Sequence, residues 1–143
     1  MIMPNAAPNL WPLDQIDVNA RTPCAILTGQ AEYLRQFTQE RLLGEIETKR
    51  SPDGWLQHRF VLVAPALQFR QHILLAAHAE GMVYPARLEA DCLLPELPTD
   101  TVKNPLLLAT EKQFLEVVGQ VFRSRQVQGL VQSLLARSNE QQV

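Results

Sequence analysis

No two of the six glycines in this chain stand closer than ten positions apart. A phosphate-cradling loop needs closely spaced glycines so that backbone N–H groups can converge on the anion, so Walker and GxGxxG loops are excluded. Cysteine is scarce too. Cys24 and Cys92 form no CxxC pair and cannot build a disulfide framework; a reduced, cytosolic pair is expected, with one bridge as the alternative. The longest unbroken apolar run, Phe60–Leu67, has 8 residues including Pro65. A helix needs about 20 to span a bilayer. The start lacks the character of a signal peptide: its first basic residue is Arg21, and Pro4, Pro8 and Pro12 interrupt it. Neither charge sign dominates. A net charge of -2 with both signs interspersed gives no long-range field for nucleic acid or anionic lipid. These absences predict a soluble, cytoplasmic protein with neither a membrane nor a nucleic acid as partner.

What is present describes a globular domain. The 143 residues fit one domain, and 46% hydrophobic with 20% charged residues is an ordinary balance for a packed core. The sequence divides into an N-terminal arm over 1–21, a single α+β domain over 22–138 and a polar tail over 139–143 that is expected to fray. The arm is rich in Pro, Asn and Ala and carries Leu10, Trp11, Leu13, Ile16 and Val18. A wet Trp11 is costly, so these residues are expected to pack on the domain.

Thr22-Pro23 starts a helix, with Thr as N-cap and Pro at the first helical position. Its stripe of Ile26, Leu27, Tyr33, Leu34 and Phe37 predicts a helix to about residue 40. Ser51-Pro52-Asp53-Gly54 is a turn. A three-residue loop, Pro52 to Gly54, sets Ser51 opposite Trp55, Ile46 opposite Phe60 and Glu47 opposite Arg59, so like meets like and charge meets counter-charge.

Residues 66–80 admit two readings. As a helix, Pro65 opens it and Gly81 ends it. As a strand, Glu80-Gly81 turns tightly into a fourth strand over Met82–Asp91. Phe69, Ile73, Leu75 and Ala77 then oppose Cys92, Leu88, Ala86 and Tyr84, while Arg70 meets Asp91 and His72 meets Glu89. The strand reading is preferred because one face comes out apolar and the other pairs opposite charges. Pro85 cannot donate to a ladder, which places the fourth strand at a sheet edge or a bulge.

Residues 92–109 read as a crossing loop, with Leu106–Ala109 able to add a short buried strand. Thr110-Glu-Lys-Gln113 is a capping-box pattern opening a helix with the stripe Phe114, Leu115, Val117, Val118, Val121 and Phe122. The next stripe, Val127, Leu130, Val131, Leu134 and Leu135, is turned by roughly 180–200° from the first. The chain is therefore expected to break near Arg123-Ser124-Arg125, with Ser124 as a new N-cap. The fold class is α+β: an antiparallel four-stranded meander packed by an N-terminal helix and two C-terminal helices.

The chemistry-bearing residues do not assemble into a recognisable site. On a strand, His72 and His78 share a face but lie about 20 Å apart. On a helix they are about 120° apart, unlike the i, i+4 pair of HExxH. His58 could join them only through the fold. No metal or cofactor is expected, and no catalytic residue is assigned. None of the four serines sits in a GxSxG elbow. Cys24 falls in the first turn of a helix, where the dipole favours a thiolate, and is the best single candidate for a small enzyme. Glu45/Glu47 and Glu89/Asp91 put two acids on one strand face, each with basic or histidine neighbours that make them solvated ladders. A helix-turn-helix over 111–137 would spend its recognition helix on apolar contacts.

The element order is similar to the RWD and ubiquitin-conjugating-enzyme-like folds over residues 22–137, and Tyr84-Pro85 resembles the Tyr-Pro after a meander strand there. That family's second and third prolines are missing, and no His-Pro-Asn precedes Cys92. The resemblance implies a non-catalytic, protein-binding member. Small acidic secretion chaperones also combine helices with a meander sheet at this size. The expectation is a protein–protein interaction domain (adaptor, chaperone, inhibitor or immunity-type) meeting another protein or a second copy of itself. Its interface candidates are Val127, Leu130, Val131, Leu134 and Leu135 of the last helix and Tyr84 and Pro85 of the fourth strand. The alternative is a small enzyme or ligand binder using Cys24 or a His/Glu pair.

Overall fold

The computed structural model describes residues 7–90 and 106–141. Within them, α1 (Pro23–Phe37) precedes β1 (Leu43–Arg50), β2 (Trp55–Ala64), β3 (Phe69–Ala79), β4 (Ala86–Glu89) and β5 (Leu106–Leu108). Two helices follow, α2 (Glu111–Phe122) and α3 (Arg125–Gln141). The strands form one antiparallel sheet in the order β1-β2-β3-β4-β5. The architecture is the expected α+β meander with five strands instead of four, because Leu106–Leu108 pairs with β4.

Local sequence signals account for most boundaries. Thr22 Oγ1 accepts from Ala25 N at 3.1 Å and Thr110 Oγ1 from Gln113 N at 3.2 Å, satisfying N–H groups that a helix start leaves free. Ser124, fully buried, accepts from Val127 N through Oγ and so starts α3 at the expected break. The helix α1 stops at Phe37 instead of about residue 40. Thr38 Oγ1 both donates to Leu34 O and accepts from Leu42 N, and Gln39 and Glu40 adopt positive φ, which no helix continues through. At the other end of the chain, α3 runs into the expected polar tail as far as Gln141. Its Ser138 is buried.

The β1–β2 hairpin has the expected register, with Ile46 opposite Phe60 and Glu47 opposite Arg59. Residues 69–79 are a strand, and Pro65 opens only a single 3-10 turn, Pro65–Leu67. Two details of β3 differ from expectation. First, its pairing with β2 shifts between Phe60 and Val61: Phe60 opposes Leu74 while Val61 opposes His72, leaving Ile73 as an extra residue. Such a bulge exchanges the faces of the residues beyond it. Leu74, Ala76 and His78 therefore face the helices and are buried, whereas Leu75 and Ala77, expected in the apolar set, lie on the opposite face and are half-buried.

Second, β4 does not follow a tight turn at Glu80-Gly81. Leu75 opposes Glu89 and Ala77 opposes Arg87, three positions from the expected register. The reason is tertiary. Tyr84 donates from its hydroxyl to Arg21 O at 2.9 Å and packs edge-on against Phe114, which carries residues 80–85 out of the ladder toward the start of α2. Pro85 thus precedes the strand, and β4 lies between β3 and β5, not at an edge. The expected pairings to Asp91 and Cys92, and most of the crossing loop, fall outside the described residues.

The core lies between the sheet and the helices, around Leu27, Leu42, Leu62, Leu74, Leu88, Phe114 and Leu134. The arm does not join it: Leu10, Trp11, Leu13, Ile16 and Val18 are all exposed. Where α1 crosses β1 the packing is closest at Gly44, whose place a Cβ would bring within 2.7 Å of Phe60 Cζ and 2.8 Å of Ala31 Cβ. Gly29 on α1 has open space around it. Gly44→Ala is expected to lower stability by about 1–3 kcal/mol through overpacking. Gly29→Ala is expected to raise it by about 0.5–1 kcal/mol through helix propensity. Urea unfolding of the two single variants checks the opposite signs.

Candidate functional site

Two arrangements bring chemistry or recognition together. The first is a histidine pair. The bulge turns His78 inward, and His58 reaches it diagonally from β2, so that their Nε2 atoms stand 2.9 Å apart with rings stacked at 5.0 Å. His58 is 4% and His78 3% exposed. The partners assign the protons. Ala79 O only accepts, so His78 Nδ1, at 2.9 Å, carries hydrogen. In a neutral ring His78 Nε2 then accepts from His58 Nε2–H. His58 Nδ1 in turn accepts from Thr48 Oγ1–H at 3.0 Å. Two neutral imidazoles satisfy every one of these bonds.

The pair differs from the sequence expectation, in which His72 and His78 shared a solvated face. The bulge at Ile73 puts them on opposite faces, with His72 exposed opposite Val61 and Glu89 opposite Leu75 instead of His72. Among the described residues, no three His, Cys, Asp or Glu side chains converge as metal ligands. With so little surface on either ring, the pair lacks an approach for a substrate; it cross-links β1, β2 and β3 from inside.

The second arrangement is a groove of about 1180 Å³ between α1 and α3. Its floor is Phe60 and Leu62 of β2 with Ile73 of the bulge, and Phe122 closes one end of the helix side. One wall is the C-terminal half of α1, with Tyr33, Leu34 and Phe37; the other is α3, with Val127, Val131 and Leu135. Glutamines and Arg125 are among its lining, and no acidic side chain among the described residues lines it. Tyr33 and Phe37 are 67% and 81% exposed although both lie on the apolar stripe of α1. The volume exceeds the roughly 300–1,000 Å³ of a small-molecule pocket.

The expected site residues separate across this geometry. Val127 and Leu134 are buried in the core, while Leu130, Val131 and Leu135 pack against it half-buried. Val127, Val131 and Leu135 also meet the groove. Tyr84 is half-buried beside Arg21 and Phe114, away from the groove, and Pro85 is exposed just ahead of β4. Burial, and after it the charge of Glu111, pushes the Tyr84 hydroxyl up to about 12, so it stays a donor. Cys24 is a free, half-buried thiol in the first turn of α1 and does not line the groove. Arg70 binds both Glu45 and Glu47, at 2.7 and 3.3 Å, making that acid pair a solvated ladder. The groove walls from α1 were legible in sequence only as a stripe; what revealed them is that half of the stripe is uncovered.

Comparison with models of protein families finds no match, and neither do searches of curated proteins and of solved structures. No helix among the described residues is long and apolar enough to cross a membrane.

The histidine pair generates a pH dependence. Burial first, and then the charge of His78, lowers the His58 pKa from its ordinary 6.5. On acidification the unfolded chain therefore takes up this proton before the folded chain does. The stability held above pH 6.5 drains away as pH falls below that value. Urea midpoints measured between about pH 7.5 and about pH 5 should fall with pH, and His58→Phe should flatten that part of the slope.

Proposed function

We propose that this chain is a non-enzymatic protein–protein interaction domain that holds an apolar segment of another protein in the trough between α1 and α3. The observation that carries the reading is the exposure of Tyr33 and Phe37 on the rim of a groove whose floor is already apolar. A folded domain rarely leaves large aromatic side chains wet beside an open apolar surface without a partner for them. The trough suits a helix or extended segment that lays down anchors along its length. Adaptor, chaperone, inhibitor and immunity-type roles all use such a surface.

Within this reading α3 serves through one flank, with Val131 and Leu135 offered and Leu134 committed to the core. Strand addition at β1 is the weaker route. The edge strand β1 alternates Glu45, Glu47 and Lys49 along its outward face, the kind of charge that discourages pairing. A nucleic-acid partner is disfavoured by the net charge of -2.

Displayed peptides selected on the folded chain test the reading. The winners should be apolar, and Tyr33→Glu/Phe37→Glu should weaken their binding by about 2 kcal/mol or more, roughly thirtyfold, with the fold intact by circular dichroism. Winners that bind the double variant equally well would place the surface elsewhere.

A further inference from the structure

We propose that the open edge of β1 is the contact between two copies of this chain, whose β1 strands pair antiparallel about a twofold axis at Thr48 and join two sheets into one. No β1 residue lines the trough between α1 and α3, so this is a separate surface.

Among the described residues, β1 ends the sheet on one side with eight residues, whereas β5 ends the other with three. The second half of β1, Glu47–Arg50, is exposed throughout. An edge of this kind presents a row of unpaired N–H and C=O groups that a further strand can meet. The hairpin fixes which groups point outward. Ser51 N donates to Trp55 O at 2.8 Å, so the hydrogen-bonded pairs with β2 recur at Lys49, Glu47 and Glu45. Ile46, Thr48 and Arg50 therefore turn their N–H and C=O to the open edge.

Charge then selects the guest and its register. An apolar strand laid along β1 would leave Glu45, Glu47 and Lys49 without counter-charges, which makes this edge a poor seat for one. A second β1 running the other way supplies them. With the axis at Thr48, Thr48 meets its own copy and Ile46 meets the partner's Arg50, all in hydrogen-bonding positions. Glu47 then faces the partner's Lys49, and Lys49 the partner's Glu47, in the non-bonded pairs where side chains stand closest. An axis at Ile46 would set Glu45 against Glu47, and an axis at Glu47 or Lys49 would set that residue against its own copy; like charges directly opposite are unfavourable.

The charges on this face are placed for such a seam. Arg70 reaches across β2 to Glu45 at 2.7 Å and to Glu47 Oε2 at 3.3 Å, which offsets the acids that would otherwise guard the edge. The other oxygen of Glu47 is left for the partner's Lys49. Lys49 itself makes no ion pair among the described residues. The contact uses the same patch on both copies, so it closes the assembly at two.

Light scattering on the full chain, over roughly 1 μM to 1 mM, tests the proposal. The mass should rise from one copy to two and no further. Glu47→Lys and Lys49→Glu each set like charges across the seam, so each alone should weaken the dimer about tenfold or more, with circular dichroism unchanged. Mixed together, the two variants should form a dimer of one copy each, because opposite signs face again. The double variant Glu47→Lys/Lys49→Glu should dimerise by itself for the same reason. A monomer over the whole range overturns the proposal, as does an assembly larger than two. A dimer indifferent to either single variant also overturns it, and so does a mixture or a double variant that fails to recover.

Discussion

The extra residue in β3 decides what this sheet presents to its helices. Up to His72, β3 pairs with β2 in one phase; beyond Ile73 it pairs in the other. Because strand side chains alternate, a single inserted residue exchanges every later pair of faces. Leu74 and Ala76 enter the core, His78 follows them in, and His72 stays out. The bulged Ile73 itself joins Phe60 and Leu62 as the floor of the trough. Core, histidine pair and groove floor thus share one cause.

That dependence explains which parts of the structure were legible in the sequence. Signals confined to a few neighbouring residues carried through. The Ser51–Gly54 turn set the β1–β2 register, and Thr22, Thr110 and Ser124 set the starts of the three helices, because a turn or cap is satisfied by atoms within three or four positions. The alternation of β3 was read correctly as a strand, but its phase past Ile73 was not, since nothing in Phe69–Ala79 itself marks the inserted residue. The register of β4 was lost for a related reason. A tight turn at Glu80-Gly81 is the local solution, whereas Tyr84 is pulled aside by Arg21 and Phe114, residues distant in sequence.

The candidate surface shows a different limit. The period of α1 correctly named the side that carries Ile26, Leu27, Tyr33, Leu34 and Phe37. Period gives direction, not coverage: Ile26 and Leu27 are buried while Tyr33 and Phe37 are not. Coverage depends on where α3 lies, and that depends on the break at Ser124. A straight helix would have turned one of the two C-terminal stripes to solvent. The cap at Ser124 lets both face inward, with Phe114, Val118 and Val121 buried from α2 and Val127 and Leu134 from α3. The re-aimed α3 stops short of covering the end of α1, and the trough is the space between them.

The two walls are also joined by hydrogen bonds. Arg41, in the loop after α1, donates from Nε to Thr38 O at 3.0 Å, and its guanidinium also bonds Asn139 near the end of α3. Thr38, buried and bonded to both Leu34 and Leu42, ties that loop to the last turn of α1. The wall that carries Phe37 is therefore linked to the wall that carries Leu135 through a short run of hydrogen bonds. A groove with its walls already placed spends little ordering entropy when it is filled, and the ordering cost of association falls on the incoming segment.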